Sequence, residues 1–454
     1  MDKISLSTEE FIDSRKVGRF QLLVGLFGIV TLISDGFDIQ IISYLIPQIS
    51  KEWGIQAGLQ GTILSAGFAG TMFGYCILAP LSPKLGLKRA VITYLICAGV
   101  FNITTVTAAN PTMLIAFRVA TGMALGGLFP SAVALTAEYF PERVRASLVT
   151  IMYVGIPAGF LIAGWAAWLV VAKFGWRPAM TIGGLIPLAL ASALAFLAPE
   201  SLEFLVNRAR NGADRARKIM RRIDPHWDPT RITNLTAGSS KQPSISVFAL
   251  FRVPHALGTR ALWVGLCLNS TVYYFVLTWL PLILVRIGAT QQNAILASSL
   301  VNFAGIAAGF LTGPMMDLFG RYRIVITLFI AGAASTILVG GVLSPQLRII
   351  VPAALCLGLC VSGIQKGVSA LAVRFYPTQL RSSGLGWTLG CGQIGAILGP
   401  FVAGQLIARG WAPASLFFLM SVPMIVGAIG IGFMRSRYDV PDVGATVSRA
   451  RAAL

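Results

Sequence analysis

The chain has 454 residues, of which 56% are hydrophobic and 12% charged, with a formal net charge of +19 and a mean hydropathy of +0.76. A water-soluble domain carries about 25% charged residues, so this composition excludes a soluble globular protein and points to a chain whose solvent is lipid. The basic excess sits in short turns between apolar runs, not in a compact domain, which argues against nucleic-acid binding and fits the Lys/Arg bias of cytoplasmic loops.

Residues 1–20 are polar and charged and lack the early apolar stretch of a cleaved signal peptide. A bilayer-spanning helix needs about 20 mostly apolar residues. Such runs occur near 21–47, 59–80, 90–108, 112–137, 147–172 and 177–198, then near 260–286, 293–315, 324–343, 348–373, 383–408 and 413–434. The sequence therefore predicts an all-α integral membrane protein with twelve transmembrane helices. Its parts are a segment 1–20, a six-helix half 21–199, a central loop 200–258, a second six-helix half 259–434 and a tail 435–454. Within the loop, 202–223 predicts a basic amphipathic helix, and 224–246, rich in Pro, Thr, Ser and Gly, predicts a linker.

Loop charges set the orientation. Arg15, Lys16, Arg19, Lys84, Lys88, Arg89, Arg143 and Arg145 fall on one side, with the basic central loop and then Arg321, Arg323, Arg381, Arg435 and Arg437. The other side has scattered cations such as Lys51, Lys173 and Arg286. Both termini and the central loop are expected in the cytoplasm, with the protein in the inner (plasma) membrane.

The halves repeat. Pro80, Gly86 and Arg89 after the second span align with Pro314, Gly320 and Arg323 after the eighth. Phe140-Pro141 and Arg145 after the fourth span align with Tyr376-Pro377 and Arg381 after the tenth. Two matches at nearly one offset argue for duplication, and paired six-helix repeats around a midplane site are a secondary-transporter architecture.

The run Gly313-x-x-x-Asp317-x-x-Gly320-Arg321-x-Arg323 resembles the cytoplasmic loop signature of the major facilitator superfamily. Further features resemble its aromatic acid:proton symporter family. These are Asp35-Gly36-Phe37-Asp38, Arg118 with Gly122, Gly126 and Gly127, Glu138-Tyr139-Phe140-Pro141, Trp279-Leu280-Pro281, and Tyr376-Pro377-Thr378 leading to Trp387. The resemblance implies import of a benzoate- or hydroxybenzoate-type acid with protons. The chain departs from the pattern in three places. Pro83 and Leu87 stand where the first-half loop commonly has Asp and Arg, Gln393 stands where the family commonly has Arg, and Lys366 is an unusual cation in the tenth span.

Ionisable groups inside membrane helices are costly and mark function. Asp35 and Asp38, three apart, share a helix face and are expected to couple protons. Arg118 cannot lose its proton and is expected to bind a substrate carboxylate or to pair with Asp38. Lys366, Gln365 and Gln393 extend that polar site, and Tyr273, Tyr274, Trp279 and Trp387 are candidates to stack on an aromatic ring, although such residues also line ordinary helix interfaces. Glu138, Arg143, Arg145, Asp317, Gly320 and Arg321 lie near the cytoplasmic mouth and are expected to gate it through ion pairs between helix ends.

The six cysteines lie inside apolar runs, away from His226 and His255, so no metal site is expected. No phosphate-binding G-x-x-x-x-G-K-[ST] loop and no hydrolase motif occurs, which argues against an enzyme. The reading is a monomeric importer without cofactor, driven by the proton gradient. Its alternatives are a proton-coupled exporter of aromatic compounds or drugs, and a transporter-like sensor of an organic acid.

Overall fold

A computed structural model describes residues 4–208, 212–225, 227, 232–236, 250–251 and 255–438. The first half contains α1 (Thr8–Asp13), α2 (Arg19–Trp53), α3 (Ala57–Ile77), α4 (Ser82–Leu85), α5 (Leu87–Thr105), α6 (Pro111–Glu138), α7 (Glu142–Phe174) and α8 (Trp176–Leu197). After it come α9 (Leu202–Arg208) and α10 (Gly212–Ile223). The second half contains α11 (Ala256–Arg286), α12 (Gln291–Phe319), α13 (Arg321–Gly341), α14 (Leu347–Phe375), α15 (Thr378–Ala408) and α16 (Pro413–Tyr438).

Among the described residues, twelve helices are long and apolar enough to cross a membrane, one for each predicted run. Lipid offers the backbone no hydrogen bonds, so each run closes into a helix that satisfies its own. The first span runs past the expected boundary at residue 47 to Trp53, because Pro47 sits inside the helix without ending it. Capping marks several starts. Asn110 Oδ1 accepts from Met113 N at 2.9 Å ahead of Pro111, the first residue of α6.

The duplication is visible in packing and in turns. In the first half α2 packs on α7, α3 on α6, and α5 on α6 and α8. In the second half α11 packs on α15, α12 on α14, and α13 on α14 and α16, the same pattern. The matched loops share one backbone conformation. Gly86 has φ 95° and ψ 129°, and Gly320 has φ 94° and ψ 131°. Both lie in a region that favours glycine, so the turn survived even where its neighbouring Asp and Arg did not.

The halves meet along α3–α15, α7–α12 and α2–α11, contacts related by the same two-fold symmetry. Their hydrogen bonds cluster at the end away from the chain termini. Gln40 Nε2 donates to Leu277 O at 3.1 Å, Gln291 Nε2 to Tyr44 O at 3.1 Å, Ser65 Oγ to Ile397 O at 2.9 Å and Arg286 Nη2 to Gln60 Oε1 at 2.7 Å.

The terminal end of the first half carries a cap that the hydrophobic pattern does not announce. Strand β1 (Ile4–Ser7) pairs in parallel with β2 (Ile232–Thr236), inside the predicted linker. Buried Phe11 meets Trp227 edge-on at 5.1 Å, and Arg15 pairs with Asp224 at 3.1 Å. The predicted amphipathic helix is two helices, and α10 buries Ala216 and Met220 while exposing Arg215, Lys218, Arg221 and Arg222. His226, most of the rest of the predicted linker and the tail from residue 439 lie outside the described residues.

Candidate functional site

Asp35 and Asp38 stand one turn apart on α2, 5% and 6% exposed. Gly36 between them puts bare backbone against α7, where an added Cβ would collide with Ile156 O. That close approach sinks the aspartates into the first half. Gly122 does the same between α6 and α3, where a Cβ would meet Gly67 O, and it lies one turn past Arg118.

Arg118, 3% exposed, donates from Nη1 to Asp38 Oδ1 at 3.4 Å and from Nη2 to Thr121 Oγ1 at 3.3 Å. Nη2 also donates to Asn102 Oδ1, on α5. The Nε of Arg118 and the Nδ2 of Asn102 are buried without partners among the described residues. Asp35 has no hydrogen-bond or ion-pair partner among the described residues. It lies within electrostatic reach of Tyr75 on α3 and of Tyr274 on α11. Two carboxylates and one guanidinium thus sit together out of water, and the less tied carboxylate lies towards the seam between the halves.

Aromatic rings line that seam. Tyr274 meets Phe68 of the first half edge-on at 4.6 Å and Tyr273 of its own helix at 5.1 Å. Across the first half, Phe129 meets Tyr75 at 6.3 Å and Tyr153 at 5.3 Å. The second half contributes amides and a cation. Gln365 Oε1 accepts from Asn269 Nδ2 at 2.8 Å and from Ser270 Oγ at 3.4 Å. Lys366 Nζ donates to Gly305 O on α12 at 3.1 Å and has no carboxylate partner among the described residues. Asn269 Oδ1 and Gln393 Oε1 are buried without donors among the described residues.

The other expected site residues are distributed differently. Trp279 is fully buried, with Nε1 donating to Pro400 O at 2.9 Å, so its polar atom pins α11 to α15. Trp387 is half exposed and stacks on Trp263 at 5.9 Å. Glu138 Oε1 accepts from Glu203 N at 2.7 Å and Ser201 Oγ at 3.2 Å, tying the end of α6 to the start of α9. Arg143 donates to Arg15 O at 2.6 Å and Arg145 pairs with Glu9 at 3.5 Å, so both hold the terminal cap. Asp317 pairs with Arg374 on α14 at 2.8 Å, while Arg321 lies over the Tyr322 ring at 5.9 Å. Asn102, Phe68, Tyr75 and Arg374 escape sequence reasoning. Asn102 is one polar residue in an apolar run, and Arg374 lies two spans from its partner.

The family described as Major Facilitator Superfamily matches residues 28–308 and 286–452. The chain is 32% identical over 434 residues to the 4-hydroxybenzoate transporter PcaK of Pseudomonas putida, covering 94% of this chain and 95% of that protein. It is 29% identical over 427 residues to a gallate transporter of the same species, covering 94% of each. Among solved structures, a D-xylose-proton symporter superposes with a TM-score of 0.71 at 15% identity, covering 90% of this chain and 97% of that one, a likeness of fold.

Proposed function

The chain belongs to the major facilitator superfamily, and from that premise we propose that it imports an aromatic carboxylate together with a proton by alternating access. The relatives named for 4-hydroxybenzoate and gallate transport support the substrate class. The observation that carries the coupling is the buried trio of Asp35, Asp38 and Arg118. Its formal charges leave it one negative charge from neutral, and one proton supplies the balance. Holding a net charge at membrane depth is costly.

In this reading Asp35 receives the proton, aided by Asp38. Protonation of the pair relaxes the hold of Asp38 on Arg118, and the guanidinium then takes the substrate carboxylate, as planar two-pronged donors do. Lys366 adds a second positive charge from the opposite half, and Gln365 and Gln393 offer hydrogen bonds to ring substituents. Tyr273 and Tyr274 pack on the ring, while Trp279 fixes α11 to α15 and Trp387, stacked on Trp263, stands apart from them. The seam bonds of Gln40, Gln60 and Gln291 close the outer path, while Glu138, Arg143, Arg145, Asp317, Gly320 and Arg321 govern movement of the inner helix ends. The protein works as a monomer in the inner membrane with both termini in the cytoplasm, without a cofactor, and draws its energy from the proton gradient.

The test is uptake into proteoliposomes. Labelled 4-hydroxybenzoate, benzoate and gallate are offered with and without an imposed inward proton gradient. Accumulation of one of these acids above its external concentration, abolished by a protonophore, is the expected result. Loss of preloaded substrate against its own gradient, driven by the same inward proton gradient, would favour export, and binding without movement would favour a sensor.

A further inference from the structure

We propose that Asn102 is the positioning residue for Arg118, holding its guanidinium apart from Asp38 so that a substrate carboxylate can reach it. The proposal rests on the reading of Arg118 as the carboxylate-binding cation. A buried arginine and aspartate in a low dielectric ordinarily close into a two-pronged pair, because two parallel N–H···O bonds satisfy both groups. Here the pair has a single contact at 3.4 Å, from Nη1 to Oδ1. The other terminal nitrogen is held by Asn102 Oδ1 and Thr121 Oγ1, and Nε has no acceptor among the described residues.

The geometry explains why an amide suits this position. Its oxygen is neutral, so it fixes the guanidinium in place without cancelling its charge. It stands on α5, a helix that packs on α6 and α8 within the first half, so it moves with Arg118 when the halves rock. Asp38 is free to gain and lose its share of Arg118 as protons arrive and leave, and the cation stays where it was. The buried Nε of Arg118 has no acceptor among the described residues, and Arg118 lines a small cavity with Asp38, Thr71 and the apolar Ile39, Ile63 and Phe68.

The experiment compares full-length wild type with Asn102→Leu, Asn102→Asp and Arg118→Gln, using 4-hydroxybenzoate as the probe. Equilibrium binding is measured by calorimetry and uptake in proteoliposomes. Asn102→Leu lets the ion pair close, so the expected result is a rise of about tenfold in Kd and KM, the effect of losing one charge-assisted contact. Vmax should stay within about threefold and the unfolding temperature should not fall below that of wild type, because a closed pair satisfies both groups. Asn102→Asp keeps the size and the acceptor but cancels the charge of Arg118, and it should weaken binding at least as much. It decides the question if the Leu variant does not fold. Unchanged Kd and KM in both variants, or a loss confined to Vmax, overturns the proposal and leaves Asn102 a packing residue. If Arg118→Gln binds the probe as wild type does, the reading of Arg118 fails first and this proposal with it. If Arg118→Gln loses binding while the Asn102 variants keep it, only the proposal fails.

Discussion

Arg118 and Asp38 meet at 3.4 Å across the packing of α6 against α2, and neither has more than 8% of its side chain exposed. Breaking a buried pair from one side leaves an uncompensated charge, which costs about 3–5 kcal/mol. Arg118→Gln and Asp38→Asn should each lower thermal stability in detergent. The double variant removes both charges and should recover most of that loss while transport stays absent. Loss of stability that simply adds in the double variant would mean that the two side chains do not act as a pair.

Asp317 and Arg374 join the ends of α12 and α14 that lie on the side of the chain termini, with 61% and 53% of their side chains exposed. An exposed pair contributes little to stability, about 0–1 kcal/mol, so if the pair serves as a gate its removal should show in transport rate and not in folding. Asp317→Asn should slow uptake while the Kd for substrate stays within about threefold, a spread near 0.7 kcal/mol. Arg374→Gln should do the same, although Arg374 lies outside the loop signature. Complete loss of binding in a folded Asp317→Asn protein would instead put this residue in the substrate site.

The twelve spans and the two halves were legible because lipid imposes one rule, a long apolar run for each crossing. Gly86 and Gly320 carried the duplication in sequence because a positive φ keeps glycine where neighbouring side chains drift. The cap was not legible. Four residues of β1 pair with a strand more than two hundred positions away, and the alternation Ile4-Ser5-Leu6-Ser7 is too short a run to announce a strand or its partner. Partner choice was also hidden. Asp317 has Arg321 nearby in sequence, but the chain folds so that Arg374 arrives at its carboxylate. The Asp35, Asp38 and Arg118 cluster could be suspected because each is an expensive residue in an apolar run. Asn102 could not, since a lone asparagine in a membrane helix has many uses.

Topology has its own prediction. The exposed basic face of α10, with Arg215, Lys218, Arg221 and Arg222, is expected in the cytoplasm by the distribution of loop cations. In a cysteine-free variant, a cysteine placed at Lys218 should react with a membrane-impermeant maleimide only after the cells are opened. Labelling of intact cells would reverse the orientation of the whole bundle.

Coupling is the sharpest prediction, and it concerns Asp35. This carboxylate has no hydrogen-bond or ion-pair partner among the described residues, whereas Asp38 is engaged by Arg118. A proton carrier must exchange its proton in each cycle, and the untied carboxylate is the better placed to do so. Uptake of a monoanion with one proton is electrically neutral, so the pH gradient alone drives it, and one pH unit supplies about 1.4 kcal/mol, or tenfold accumulation. A second proton would add the membrane potential, about 2.3 kcal/mol per 100 mV. Asn at position 35 keeps the size of the side chain and mimics the protonated form. Asp35→Asn should therefore abolish accumulation driven by a pH gradient, yet retain exchange of labelled for unlabelled substrate, because exchange needs no release of the proton. Both are read in the same proteoliposomes, with an imposed gradient for the first and equal pH for the second. If the Asn variant still concentrates substrate in response to the pH gradient, Asp35 is not the coupling carboxylate. The role then passes to Asp38, whose share of Arg118 would have to be broken and remade in every cycle.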